Sequence, residues 1–155
     1  MKRIICASLA LSAVVLVGVS PAAGDAKSDL EALQGTWELS YFERDGKEVK
    51  LENVTKLTFT DDKFVVKRGD EIVSAGTFKL DPSKKPKESE TTYNDGPDKG
   101  KTFKGIYQIE GDTEKFCRAG LPNGERPTEF KTKPDSGQVL SVYKRVQKPT
   151  QLLKK

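Results

Sequence analysis

The chain has 155 residues, 27 of them basic and 23 acidic, for a formal charge of +4, and it contains no histidine. The missing imidazole excludes histidine-dependent triads, the commonest general base and the usual zinc ligand. Basic and acidic residues alternate almost everywhere, which excludes the one-sided basic footprint of a nucleic-acid-binding domain.

Met1-Lys2-Arg3 is a charged start, followed over residues 4–19 by an apolar run interrupted only by Ser8, Ser12 and Gly18, and then by Ala22, Ala23 and Gly24. This is the pattern of a secretory signal peptide covering residues 1–24, with cleavage expected after Gly24. The run falls short of the ~20 residues that span a bilayer. Cys6 lies inside it, not behind it where lipid attachment needs a cysteine. The expected product is exported, periplasmic or secreted, without a transmembrane segment after cleavage. Cleavage leaves Cys117 as the sole cysteine, so a disulfide scaffold is excluded and the fold must rest on a hydrophobic core. Between Phe116 and Arg118 in an expected strand, Cys117 reads as a buried inert thiol.

Ser28-Asp29-Leu30-Glu31 matches a capping box and predicts a short helix over residues 29–33. Gly35 ends it and opens a strand over 35–42, in which Trp37, Leu39 and Tyr41 alternate with Thr36, Glu38 and Ser40. Asp45-Gly46 predicts a turn. Strands follow at 56–60, 63–68, 71–80 and 89–93, the first three joined by Asp61-Asp62 and Gly69-Asp70 into a meander. The Lys/Pro/Ser stretch 81–87 reads as a loop. Residues 102–109 put Phe103, Gly105, Tyr107 and Ile109 on one face, and Gly111-Asp112 turns the chain into a strand at 113–118. A Gly/Pro-rich connection, 120–127, leads to a short strand at 128–131, and a last strand over 138–146 carries Leu140, Val142 and Tyr143. The expectation is an all-β, antiparallel up-and-down barrel of about eight strands with a short N-terminal helix, one domain over 28–146. Behind it, residues 147–155 form a basic tail expected to be disordered.

The helix, then Gly35-Thr36-Trp37 opening the first strand, and Arg145 in the last strand resemble the lipocalin pattern. The closer resemblance, over nearly the whole exported chain, is to a lipocalin-like domain of unknown function found mainly in planctomycete proteins. It is carried by residues 29–37 (Asp29 to Trp37), 96–101 (Gly96 to Lys101), Gly105-Ile106-Tyr107 and 125–130 (Glu125 to Phe130). The resemblance implies that Gly35, Trp37 and Arg145 are structural, the tryptophan closing the barrel floor and the arginine packing across its indole. It implies no reaction.

Four patterns test as chemistry. Gly-Pro-Asp-Lys-Gly-Lys-Thr at 96–102 is one residue short of a phosphate-binding loop and precedes a strand, so it reads as a hairpin turn. Asp61, Asp62, Asp95, Asp98 and Asp112 lack the spacing of a calcium loop and belong to turns. Asn53-Val54-Thr55 is a glycosylation acceptor only in a eukaryotic secretory pathway. The stiff loop 121–130, with Glu125, Arg126 and Glu129, reads either as part of a barrel mouth contacting ligand through Arg126 or as a structural crossover in which Arg126 pairs with Glu129 or a strand-end carbonyl.

The first functional expectation is a carrier of a small apolar or amphiphilic ligand, with candidate pocket walls Leu39, Tyr41, Phe59, Phe64, Phe78, Phe103, Tyr107 and Phe116. The alternative is an envelope or extracellular interaction or inhibitor module with a filled barrel, working through loops and through the basic tail against a partner protein or an anionic surface. An enzyme is not expected, and neither cofactor nor metal is assigned.

Overall fold

A computed structural model of the chain describes residues 23–146. The expected signal segment up to residue 22 and the basic tail from residue 147 lie outside the described residues. The helix α1 spans Ala23–Leu33, so it begins six residues earlier than the capping box predicts and Ser28 sits within it. Nine strands follow: β1 (Gly35–Arg44), β2 (Lys47–Glu48), β3 (Thr55–Thr60), β4 (Lys63–Arg68), β5 (Glu71–Asp81), β6 (Lys87–Asp95), β7 (Thr102–Glu110), β8 (Thr113–Arg118) and β9 (Val139–Arg145). The strand expected at 128–131 is absent; Thr132 and Arg126 tie that stretch of chain down by side-chain bonds instead of a ladder.

Every pairing from β3 to β9 joins neighbours in sequence and is antiparallel, and β1 pairs with both β3 and β9. Eight strands therefore close into an up-and-down barrel, with β2 a two-residue extension of the β1 hairpin. Closure removes the open edges that a meander of this composition would present. The tight turns carry the residues that left-handed backbone favours: Asp45 and Gly46, Asp61, Gly69 and Gly111 all have positive φ.

One bulge decides which side chains face inward. Between Leu39 and Tyr41 the β1–β9 register shifts by one residue, with Ser40 unpaired. An extra residue in a strand reverses the inside–outside alternation beyond it. Trp37 and Leu39 belong to the interior, and beyond the bulge Phe42 takes the inward place while Tyr41 turns outward.

The interior cluster of Leu33, Trp37, Leu57, Phe59, Phe64, Phe78 and Tyr143 fills the end of the barrel that α1 covers. Edge-to-face contacts at 5.0 Å between Phe59 and Phe78 and 5.4 Å between Phe64 and Tyr93 knit the aromatic walls together. α1 is docked by polar ties as well as by Leu33. Asp29 accepts hydrogen bonds from the Tyr107 hydroxyl at 2.7 Å and from Lys87 Nζ at 2.7 Å, and Trp37 Nε1 donates to the Leu33 carbonyl at 2.7 Å.

Arg145 closes this end. Its guanidinium lies 4.0 Å over the Trp37 ring and donates to the carbonyls of Gln34 at 2.9 Å and Ala32 at 2.5 Å, acceptors that the end of a helix leaves without partners. Nε adds a contact to Asp112 at 3.1 Å. Gly35 makes the sharp exit from α1 into β1 at φ +106°, a backbone conformation that side-chain-bearing residues rarely adopt.

A strap, residues 119–138, crosses the outside of the barrel between β8 and β9. It covers a second, external cluster of Ile106, Cys117 and Leu140, against which Tyr41 and Phe130 pack. Glu43 fixes the strap at β1: its carboxylate accepts from Thr132 N at 2.9 Å, Thr132 Oγ1 at 2.6 Å and Tyr41 Oη at 2.6 Å, and these bonds hold its pKa below the usual value. Arg126 fixes it at β6 and β7, donating to the carbonyls of Ser89 and Gly105 and pairing with Glu88 at 3.1 Å.

Arg145→Met keeps the stem over the indole and loses both carbonyl bonds, for an expected destabilisation of about 2–3 kcal/mol. Arg145→Lys is expected to recover less than half, since one ammonium does not reproduce a planar fork with a stacked face. Trp37 is the only tryptophan, so urea unfolding followed by its fluorescence reads the effect at the clasp itself. A midpoint unchanged in Arg145→Met would mean that the clasp contributes nothing net.

Candidate functional site

The barrel is plugged at the α1 end and open at the other. Between the core layer and the open end lies a cavity of about 810 Å³, within the range of pockets that take small molecules. Its deeper wall is aromatic and aliphatic, with Phe59, Phe64, Phe78 and Phe116 meeting Leu39 and Val66. Phe42, Tyr93, Ser74, Thr91 and three arginines, Arg44, Arg68 and Arg118, complete the lining.

The chain direction explains this layering. Strands β1, β4 and β8 all run from the α1 end toward the mouth. Their inward residues read Phe42 then Arg44, Val66 then Arg68, and Phe116 then Arg118, and all six line the cavity. Inward positions two apart share a face, so each apolar wall residue is followed one step outward by a guanidinium.

Of the residues expected to form pocket walls, Leu39, Phe59, Phe64, Phe78 and Phe116 come together around the cavity. Phe103 and Tyr107 are buried without lining it. Phe103 stacks under Arg118 at 4.1 Å and against Tyr93 at 5.6 Å, and Tyr107 stacks on Phe116 at 6.0 Å with its hydroxyl spent on Asp29. Two more of the expected residues lie off the cavity, on the outer face of the barrel. Tyr41 lies outside the barrel, because the bulge at Ser40 turns it to the external cluster. Arg126 is also outside, and it takes the structural alternative: its partners are strand carbonyls and Glu88 and Glu90, and Glu129 is not among them. Gly35, Trp37 and Arg145 meet at the closed end, away from the cavity.

Sequence reasoning missed Arg44, Arg68 and Arg118. For β4 and β8 the signal was present as an apolar-x-Arg ending on a period of two; for β1 the bulge concealed it.

Below the cavity, the inward face of β8 continues to Glu114, which is fully buried opposite Tyr143 with no hydrogen-bond partner for either carboxylate oxygen. Burial pushes its carboxyl well above the usual range, and Arg145 pulls only weakly the other way. Cys117 is also fully buried, outside the wall and beneath the strap, with Sγ 3.8 Å from the Lys131 carbonyl; burial raises its thiol to about 11, which leaves little thiolate for nucleophilic work. Among the described residues no cluster of acidic or cysteine side chains is arranged to hold a metal ion. The Gly96 to Thr102 segment is the β6–β7 turn, as its spacing predicts, and Asp98 within it pairs with Lys101 at 3.2 Å and with Arg118 at 3.3 Å.

In comparisons with known proteins, no family model, no curated protein and no solved structure matches the chain.

Glu114 makes stability depend on pH. A carboxyl whose folded pKa is raised stabilises the fold fully below its unfolded value near 4.5 and loses that contribution as pH climbs toward the folded value. Urea midpoints measured from pH 5 to pH 8 are expected to fall, with a single-group slope of up to about 1.4 kcal/mol per pH unit. Glu114→Gln, the isostere of the neutral acid, is expected to flatten the slope and to be more stable than the parent at pH 8. Parallel curves for the two proteins would show that Glu114 is ionised and partnered in the fold.

Proposed function

We propose that the protein is an exported carrier or sensor that holds one small apolar or amphiphilic molecule inside its barrel. The observation that carries the reading is the cavity: a closed eight-stranded barrel, plugged by a helix at one end, keeps about 810 Å³ open at the other behind aromatic walls. A barrel of this strand number has room either for side chains alone or for one small ligand. Here the larger residues are drawn toward α1 and the upper half is left open, which favours the carrier over an interaction module with a filled interior.

Export rests on the N-terminal charge, apolar run and small-residue sequence. A buried lone thiol suits an oxidising compartment, where an exposed one would be open to cross-linking. We place the chain with the lipocalin-like domains of planctomycete proteins on the segments quoted above; the reading of a carrier follows from the cavity and does not depend on that placement.

N-phenyl-1-naphthylamine, a neutral apolar fluorophore, is expected to bind one per protein with a rise in emission. Thr91 lines the cavity from β6, and Thr91→Trp fills part of it from a half-exposed position. The variant is expected to weaken the fluorophore at least tenfold while its thermal unfolding, followed by circular dichroism, stays within a few degrees of the parent. Native mass spectrometry of protein purified gently from its own host supplies the complementary measurement, with a stoichiometric small molecule expected. Absence of fluorophore binding in the parent, together with a clean apo mass from repeated preparations, would overturn the carrier reading.

A further inference from the structure

The mouth of the cavity is built for charge as well as for apolar surface, and what it lacks is a partner for that charge. Arg44, Arg68 and Arg118 occupy the last inward positions of β1, β4 and β8, three of the four strands that run outward. Arg118 is held in place by Asp98 at 3.3 Å, by the Ala119 carbonyl and by the face of Phe103. Arg44 and Arg68 have no ion pair or hydrogen bond among the described residues. Two acids share the mouth. Asp98 is committed to Arg118 and Lys101, and Glu71, although it is the ladder partner of Arg68, makes no ion pair within 4.0 Å. Tyr93, whose phenol hydroxyl completes this wall, is half-buried beside the cavity with its ring 5.8 Å from the Arg118 guanidinium. That hydroxyl also has no hydrogen-bond partner among the described residues.

We propose that the ligand is an amphiphile with a single anionic head, the head held at the mouth by Arg44 and Arg68 beside the fixed Arg118, and the apolar chain running down between Phe42, Val66 and Phe116 toward Phe59 and Phe78. This deepens the carrier reading and rests on it. Guanidiniums present paired donors that match carboxylate or phosphate oxygens. A neutral ligand leaves Arg44 and Arg68 to solvent, and a cationic one meets two guanidiniums that have no ion pair, with Glu71 the single uncommitted acid beside them. The apolar run below the arginines, four residues from Arg68 to Phe64, gives roughly 13 Å of depth, which accommodates a chain of medium length. Carboxylate and phosphate monoester heads share the required chemistry.

The test is displacement of bound N-phenyl-1-naphthylamine by four molecules with the same twelve-carbon chain: dodecanoate, dodecyl phosphate, dodecan-1-ol and dodecyltrimethylammonium. At least one of the two anions is expected to compete at tenfold lower concentration or better than the alcohol, with the cation weakest; the stronger anion identifies the head. The double variant Arg44→Gln/Arg68→Gln is expected to cost that anion tenfold to a hundredfold and the alcohol far less, so that the preference for anion over alcohol collapses, with circular dichroism showing that the variant is folded. Arg44→Lys/Arg68→Lys is expected to retain part of the preference. If the alcohol competes as well as both anions, or if the glutamine variant keeps the full anion preference, the anionic head is wrong and the carrier stands. If the fluorophore does not bind the parent and repeated preparations give a clean apo mass, both fall together.

Discussion

One guanidinium holds the two ends of the domain together. Arg145, in the last strand, reaches the carbonyls that end the first helix and lies flat on the tryptophan that opens the first strand. The barrel closes through β1 pairing with β9, and the closed end is sealed by α1; both depend on the N-terminal and C-terminal segments meeting at this point. Hydrogen bonds to a charged donor, in a pocket of low polarity, are among the stronger ties a small domain has. A barrel without disulfides concentrates them where the sheet must shut.

From that seal the rest of the interior follows as a gradient. Next to α1 the barrel is packed with Trp37, Leu33 and Tyr143, and it buries the Glu114 carboxyl without a hydrogen-bond partner. Midway the aromatic side chains lean on one another and on the walls, and the volume opens. At the far end the inward positions become arginine. Packing, cavity and charge thus succeed one another along the same three strands, set by nothing more than which residue occupies each second position. The strap on the outside lets the open half exist: Glu43 and Arg126 pin it across β1, β6 and β7, so the wall is backed from outside where it is not supported from within.

Most of this architecture can be read from the residues. Turn chemistry at Asp45-Gly46, Asp61, Gly69 and Gly111 marks four reversals, and strand composition between such turns gives β4 and β8 to the residue. Trp37 and Arg145 are legible as a pair through their place in the pattern. The failures have definite physical sources. A bulge has no local sequence signature in Leu39-Ser40-Tyr41, yet it exchanges Tyr41 for Phe42 on the inner face and conceals Arg44. The strap has strand-like residues in Thr128 to Lys131 and no strand beside it to pair with. Ile106, Cys117 and Leu140 are as apolar as the true lining, because a covered outer wall needs the same side chains as an inner one, and periodicity cannot separate two buried faces.

The strap also decides the chemical fate of the chain's single described thiol. Cys117 lies under Phe130 and Lys131, so any oxidant or second thiol must wait for residues 119–138 to lift. Opening of the strap, held by the Arg126 and Glu43 ties, is therefore the step that exposes the thiol to oxidation. A segment that looks like a passive connection is in this sense a guard.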